Sequence, residues 1–191
     1  MPSIIQADQL KSADGVTTYL NSGTLSNVTF PSGTLIKATV KKDTSGHEDQ
    51  SGSTAKAAKT YTSITCTVGN TIVFSWDFKL YAGALSGSAT DRTAHVFCYQ
   101  HISSVTEGAT SGHGTKLNTY RVGRNLASGS GSSATSFAPV HIQASFVATA
   151  TTHHLGLVFY SGGSDIQARV HADSDYPLLL TAYEFQGDVL T

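Results

Sequence analysis

The sequence predicts an all-β chain: an antiparallel β-sandwich, jelly-roll-like, preceded by an extended N-terminal oligomerisation segment. Three observations carry this reading. Wherever apolar residues recur with a period, the period is two rather than 3.6, so side chains alternate between the faces of strands. Gly, Ser, Asn, Asp and Pro turns punctuate the chain between those runs. No stretch carries a helical repeat, and two packed sheets are the usual solution for many short strands. A length of 191 residues suits one such domain with an appendage.

The sandwich is expected over residues 33–191. Its first strand is "GTLIKATVKK", and "TYTSITCT" and "TIVFSWDFKLY" follow on either side of the Val68-Gly69-Asn70 turn. In the latter, Ile72, Phe74, Trp76, Phe78 and Leu80 alternate with Thr71, Val73, Ser75, Asp77 and Lys79, which puts one aromatic face on a core. "AHVFCYQHIS" sets Val96, Cys98 and Ile102 against Phe97 and Tyr99, a pattern of burial on both faces or of a subunit contact. "VHIQASFVATA" places Ile142, Ala144, Phe146 and Ala148 in one phase, "HLGLVFYSG" Leu155, Leu157 and Phe159, and "DIQARVHA" Ile166, Ala168 and Val170. A turn at Asp-Ser-Asp-Tyr-Pro, 173–177, leads to the last strand, "LLLTAYEFQG". The expected core is Phe74, Trp76, Phe78, Ile142, Phe146, Leu155, Leu157 and Phe159. The segments 43–58, 83–92, 106–117 and 126–139 read as long loops, where recognition tends to sit.

Residues 1–32 differ. Ile4, Ile5, Leu10, Val16, Leu20, Leu25, Val28 and Phe30 are strung singly between turns, with no run long enough to close a core. Such a segment gains stability when identical chains wrap together and cover what one chain cannot, so these eight residues are the candidates for trimerisation and anchoring. A disordered tail is the competing reading.

Composition narrows the function. Charged residues are 13% and the formal net charge is −1, so there is no basic field for nucleic acid or an anionic membrane. No apolar stretch reaches the roughly 18 residues that span a bilayer, and membrane insertion is not expected. Cys66 and Cys98 lie in strand-like runs and read as reduced core thiols ahead of a disulfide. The eight histidines do not form a ligand set. His95 and His101 would stand about 20 Å apart on one strand and could share an ion only across subunits. His153 and His154 point to opposite faces, and His47, His113, His141 and His171 are scattered. There is no nucleophile elbow, no phosphate loop and no dinucleotide fingerprint. Acidic residues such as Asp14, Asp43, Glu48, Asp49, Asp165, Asp173 and Asp175 read as turn formers rather than a glycosidase pair. The expectation is a protein that is not an enzyme and uses no metal or cofactor. What remains is binding: "TYRVGRN" offers Tyr120, Arg121 and Arg124, an aromatic with two planar cations suited to sugar rings and hydroxyls, against the plainer reading of a solvated strand edge.

The opening "ADQLKSADGVTTYLNSGTLSNVTFPSGTLI" and the closing "LLLTAYEFQGD" resemble the structural proteins of tailed bacteriophages, particularly the short tail-fibre-like proteins of marine phages. The shared features are a K-S-x-D-G turn segment, "FPSG" leading into "LI", and a final strand like "LTAYEFQG". The resemblance implies a homotrimer in the virion, with an intertwined N-terminal part that anchors to other tail or capsid proteins and a β-domain that faces outward. It departs in length, since many fibres carry long shafts and this chain has almost none. The reading is a tail fibre or tail-tip protein contacting host surface glycan. The alternative is a capsid decoration protein whose N-terminal arm lies on the capsid lattice.

Overall fold

Strands account for all the regular structure of the described residues, which in this computed structural model are 9–11, 18–21, 24–25, 31–44, 49–51, 54–84, 91–125, 135–162 and 166–190. β1 (Gln9–Lys11), β2 (Thr18–Asn21) and β3 (Thr24–Leu25) form a separate three-stranded antiparallel sheet. Its register sets Leu10 opposite Leu20 and Leu20 opposite Leu25. Of the other anchoring candidates, Ile4, Ile5, Val16, Val28 and Phe30 lie outside the described residues.

The domain beyond is built from β4 (Leu35–Asp43), β5 (Asp49–Ser51), β6 (Lys56–Ala57), β7 (Thr62–Thr65), β8 (Thr71–Ala84), β9 (Asp91–His101), β10 (Thr115–Asn125), β11 (Thr135–Val147), β12 (Thr152–Ser161), β13 (Ile166–His171) and β14 (Leu178–Phe185). Three positions are broken strands whose halves lie end to end. β14 and β13 pair with successive halves of β8, β4 and β5 pair with β14 and β13, and β7 and β6 pair with β12. Counting each broken strand once gives eight positions. One sheet runs β4/β5, β13/β14, β8, β11, and the other β6/β7, β12, β9, β10. In chain order these are 1-8-3-6 and 2-7-4-5, with every pairing antiparallel. That order is a jelly roll, as the sequence predicted.

The expected core is the observed one. All eight residues named for it, Trp76 among them, are at most 8% exposed, and the Phe74 and Phe146 rings meet edge to face at 6.1 Å. The strands run further than the alternation showed. β8 continues to Ala84, β11 starts at Thr135, and 43–58 contains β5 and β6 rather than loop alone. Ile102 does not share a face with Val96 and Cys98: β9 ends at His101, and Ile102 is 61% exposed in the following loop. Cys66 and Cys98 are free thiols, and burial pushes Cys98 up to about 12.

Polar groups close the sandwich ends. Asp173 accepts hydrogen bonds from the Asp175 and Tyr176 amides and sits against His171, making the turn between β13 and β14. Gly69 takes φ of 87° in the turn before β8, where a side chain would be strained. Beside it, buried Glu184 accepts from the Thr67 amide at 2.8 Å and from Asn70 Nδ2 at 2.7 Å. Asn70 Oδ1 takes the Gly187 amide, and Thr71 Oγ1 donates to the Gly187 carbonyl and accepts the Val189 amide. The "EFQG" of the closing motif is therefore a latch holding the last strand to the β7–β8 turn.

His153 is fully buried, with its Nε2 accepting the Thr149 and Ala150 amides and its Nδ1–H donating to Gln100 Oε1. That geometry requires a neutral ring. Burial first, then His154, depresses its pKa, and burial is also the leading cause of the lowered values at His95 and His113. The unfolded chain binds protons at these sites near the ordinary value of about 6.5, before the folded chain does. Their stabilising contribution is therefore complete above that pH and lost as pH falls through the depressed folded values. Calorimetry is expected to give a lower melting temperature at pH 5 than at pH 7.5, with a shallower dependence in His153→Gln.

Candidate binding surface

β9 alternates Ala94, Val96 and Cys98, buried in the core, with His95, Phe97 and Tyr99 on the outer face of its sheet. Register brings Tyr160 of β12 opposite His95, and Lys116 and Arg121 of β10 opposite Tyr99 and His95. The rings form a continuous strip. His95 stacks on Tyr160 at 4.5 Å and 7°, Phe97 lies 5.6 Å from Tyr160 at 24°, and Tyr99 meets Phe97 edge to face. Lys116 Nζ is 5.1 Å from the Phe97 ring centre. Burial, then the Arg121 guanidinium, holds His95 below its ordinary pKa, so at neutral pH the ring is an uncharged stacking surface.

One end of this face is covered by the chain itself. Tyr61, Ala57, Val105 and Val158 form a second small core outside the sheet, with Tyr99 packed against it. Gly156 makes this possible: a Cβ there would fall within the Tyr61 ring. Tyr61 Oη donates to the His113 carbonyl at 3.4 Å, and burial raises the phenol's pKa well above its ordinary value. The covering loop, 102–114, stops short of His95, Phe97 and Tyr160, which stay half-buried with Lys116 and Arg121 exposed beside them. The result is a flat aromatic platform with a cationic rim. It can stack on a ring through its apolar face and hydrogen-bond hydroxyls or carboxylates at its edge.

The three binding candidates from the sequence do not sit together. Arg121 is on the platform. Its neighbour Tyr120 is paired with inward-facing Val96 and therefore belongs to the opposite face, 36% exposed at the sandwich edge. Arg124 is on β10 opposite Arg92, and its side chain lies outside the described residues. The sequence marks His95 only as a ligand that subunits could share, and Tyr160 not at all; the signal for the platform is the out-of-phase pair Phe97 and Tyr99. Among the described residues no group of three or more His, Cys, Asp or Glu could hold a metal ion.

No protein-family model matches the chain, and no curated protein matches it. Among solved structures, a chain from the structure of infectious bursal disease virus, Gx strain, is similar at 10% identity with a TM-score of 0.25. The match covers 98% of this chain and 46% of that one, so this chain spans about half its length. A likeness so slight transfers neither function nor assembly.

Proposed function

We propose that this chain is a non-enzymatic structural protein of a bacteriophage virion, a homotrimeric tail fibre or tail-tip protein whose jelly roll contacts glycan on the host surface. The observation that carries the binding role is the platform of His95, Phe97 and Tyr160 rimmed by Lys116 and Arg121. Sugars present apolar faces and rings of hydroxyls, and the platform offers complements to both. The opening and closing motifs support the virion setting, with residues 1–32 as the joining and anchoring part. In binding to host polysaccharide, Phe97→Ala and Arg121→Gln are each expected to weaken affinity about tenfold, roughly 1.4 kcal/mol. Tyr120→Ala, on the other face, is expected to change it less than twofold. Equal losses from all three would remove the platform from the reading.

The capsid decoration alternative draws on the outer face of the other sheet, where Ile36, Val40 and Tyr183 are exposed together on β4 and β14. A capsid lattice would cover such a face. Copy number per particle separates the two: about tens for a tail appendage and hundreds for a decoration protein.

A further inference from the structure

Between the sheets, beside Trp76, lies a cavity of about 270 Å³. A larger pocket, of about 460 Å³, opens on the other side of β8, on the outer face of its sheet. Topology makes this pocket. β8 pairs with β14 up to Asp77 and with β13 from Lys79, so the chain between those two partners, 172–177, has to leave the sheet there. It stands over the face as a wall whose shape is fixed from within: Asp173 accepts the Asp175 and Tyr176 amides and is held in turn by His171. Tyr176 and Pro177 line the space, with Lys79 Nζ over the Tyr176 ring.

The floor is a cross-strand row of Leu179 on β14, Asp77 on β8 and His141 on β11, on the face opposite buried Leu178, Phe78 and Ile142. Pro139, the next outward position along β11, closes the far side. His141 Nδ1 lies 2.7 Å from Asp77 Oδ1, and both side chains are half-exposed. A carboxylate can only accept, so Nδ1–H is the donor; with the imidazole neutral, its Nε2 is an acceptor too. Nε2 and the second Asp77 oxygen are therefore two acceptors held side by side, neither bonded to another described residue. Among the described residues, the other charges at the space are Asp175 and Lys79.

We propose that this pocket binds one neutral sugar ring through a pair of neighbouring hydroxyls, one donating to the second oxygen of Asp77 and the other to His141 Nε2, with an apolar face of the ring against Tyr176 and Pro177. The volume falls within the range of small-molecule pockets, and apolar rings around one compact polar pair suit a ligand that has a C–H face and adjacent hydroxyls. A hydroxyl bonded to a carboxylate makes a charge-assisted bond, whereas Asp77 and Asp175 together turn an anionic sugar away. This is a second site, on the sheet opposite the platform, and it rests on the proposed glycan-binding role only for its biological sense.

The test follows the His141 and Tyr176 ring signals of the full-length ¹³C-labelled protein, each assigned by its loss in His141→Gln or Tyr176→Ala. The probes are methyl mannoside, methyl galactoside and methyl glucoside, with tetrahydropyran as the ring without hydroxyls and sodium glucuronate as the anionic sugar. At least one glycoside is expected to move both signals saturably, with tetrahydropyran and glucuronate each at least tenfold weaker. Asp77→Asn keeps the shape of a half-exposed side chain, and Tyr176→Ala lies at an exposed turn position, so both keep the fold. Asp77→Asn, read at Tyr176, and Tyr176→Ala, read at His141, are each expected to weaken that glycoside at least fivefold. No movement with any glycoside, an equal response to tetrahydropyran or glucuronate, or no effect of Asp77→Asn overturns the proposal. Movement with an oligoproline peptide and with no glycoside also overturns it, and makes the pocket a peptide groove. If host polysaccharide binding depends on Phe97 while every glycoside leaves His141 and Tyr176 unmoved, the pocket proposal falls and the platform stands. If a glycoside moves them and Phe97→Ala leaves polysaccharide binding intact, the pocket stands and the platform falls.

Discussion

Trp76→Ala is expected to lower the stability of the domain by about 3–5 kcal/mol, the range for truncating a buried aromatic. The indole sits on the central strand β8, paired on one side with Ile142 and on the other with Leu180, both buried. β-Strands on both sides hold the backbone, so the space left behind cannot collapse freely, and the cavity already next to it would enlarge. For a chain of this size each kcal/mol moves the melting temperature by about 2–4 °C, so a fall on the order of 10 °C is expected. Trp76→Phe, which keeps most of the ring, should lose much less. A melting temperature unchanged in the alanine variant would contradict the position of the ring.

Glu184→Ala is also expected to destabilise the domain, for a different reason. The carboxylate is 5% exposed and takes both the Thr67 amide and the Asn70 side chain on one oxygen. Removing it strands the buried Asn70 side-chain donor, at about 1–3 kcal/mol, while the Thr67 amide, at an exposed position, can turn to water. Asn70 would then no longer be held against the Gly187 amide, so the segment after β14 should loosen with it. Hydrogen exchange should show this as lost protection at Gly187 and Val189, while amides in β9 and β12 stay slow. Glu184→Gln keeps an acceptor oxygen and should recover part of the loss.

The core was legible because alternation is local: residues 71–81 announce which side chains share a face without reference to any partner strand. The platform was not. Phe97 and Tyr99 could be seen to be out of phase with the core, but the ring stacked on His95 is Tyr160, brought there by the pairing of β9 with β12. Pairing between strands distant in sequence leaves no trace in either strand alone. Tyr120 and Arg121 are separated by the local rule instead: adjacent on one strand, they are placed on opposite faces by the pleat. The start of β11 lies in a segment, 126–139, whose Gly, Ser, Ala and Thr read as loop; Pro139 within it is accommodated on an edge strand, where its missing N–H can face away from the sheet. The role of Glu184 was also hidden, since nothing in "AYEFQG" distinguishes a buried carboxylate from a solvated one.

The strand that enters the domain and the strand that leaves it are antiparallel neighbours, and their outer ends are joined by hydrogen bonds from the Gly33 amide to the Gln186 carbonyl and from the Gln186 amide to the Thr34 carbonyl. This arrangement makes the domain mechanically direction-dependent. Tension applied between residues 33 and 187 loads those bonds one rung at a time, as a zipper is opened, and each rung yields before the next bears force. Tension between residue 33 and the far end of β14, near Leu178, runs along the ladder and loads all its rungs at once in shear. A jelly roll held at its entry strand and pulled from its distant pole thus resists through many bonds in parallel, whereas one pulled by its own two ends peels.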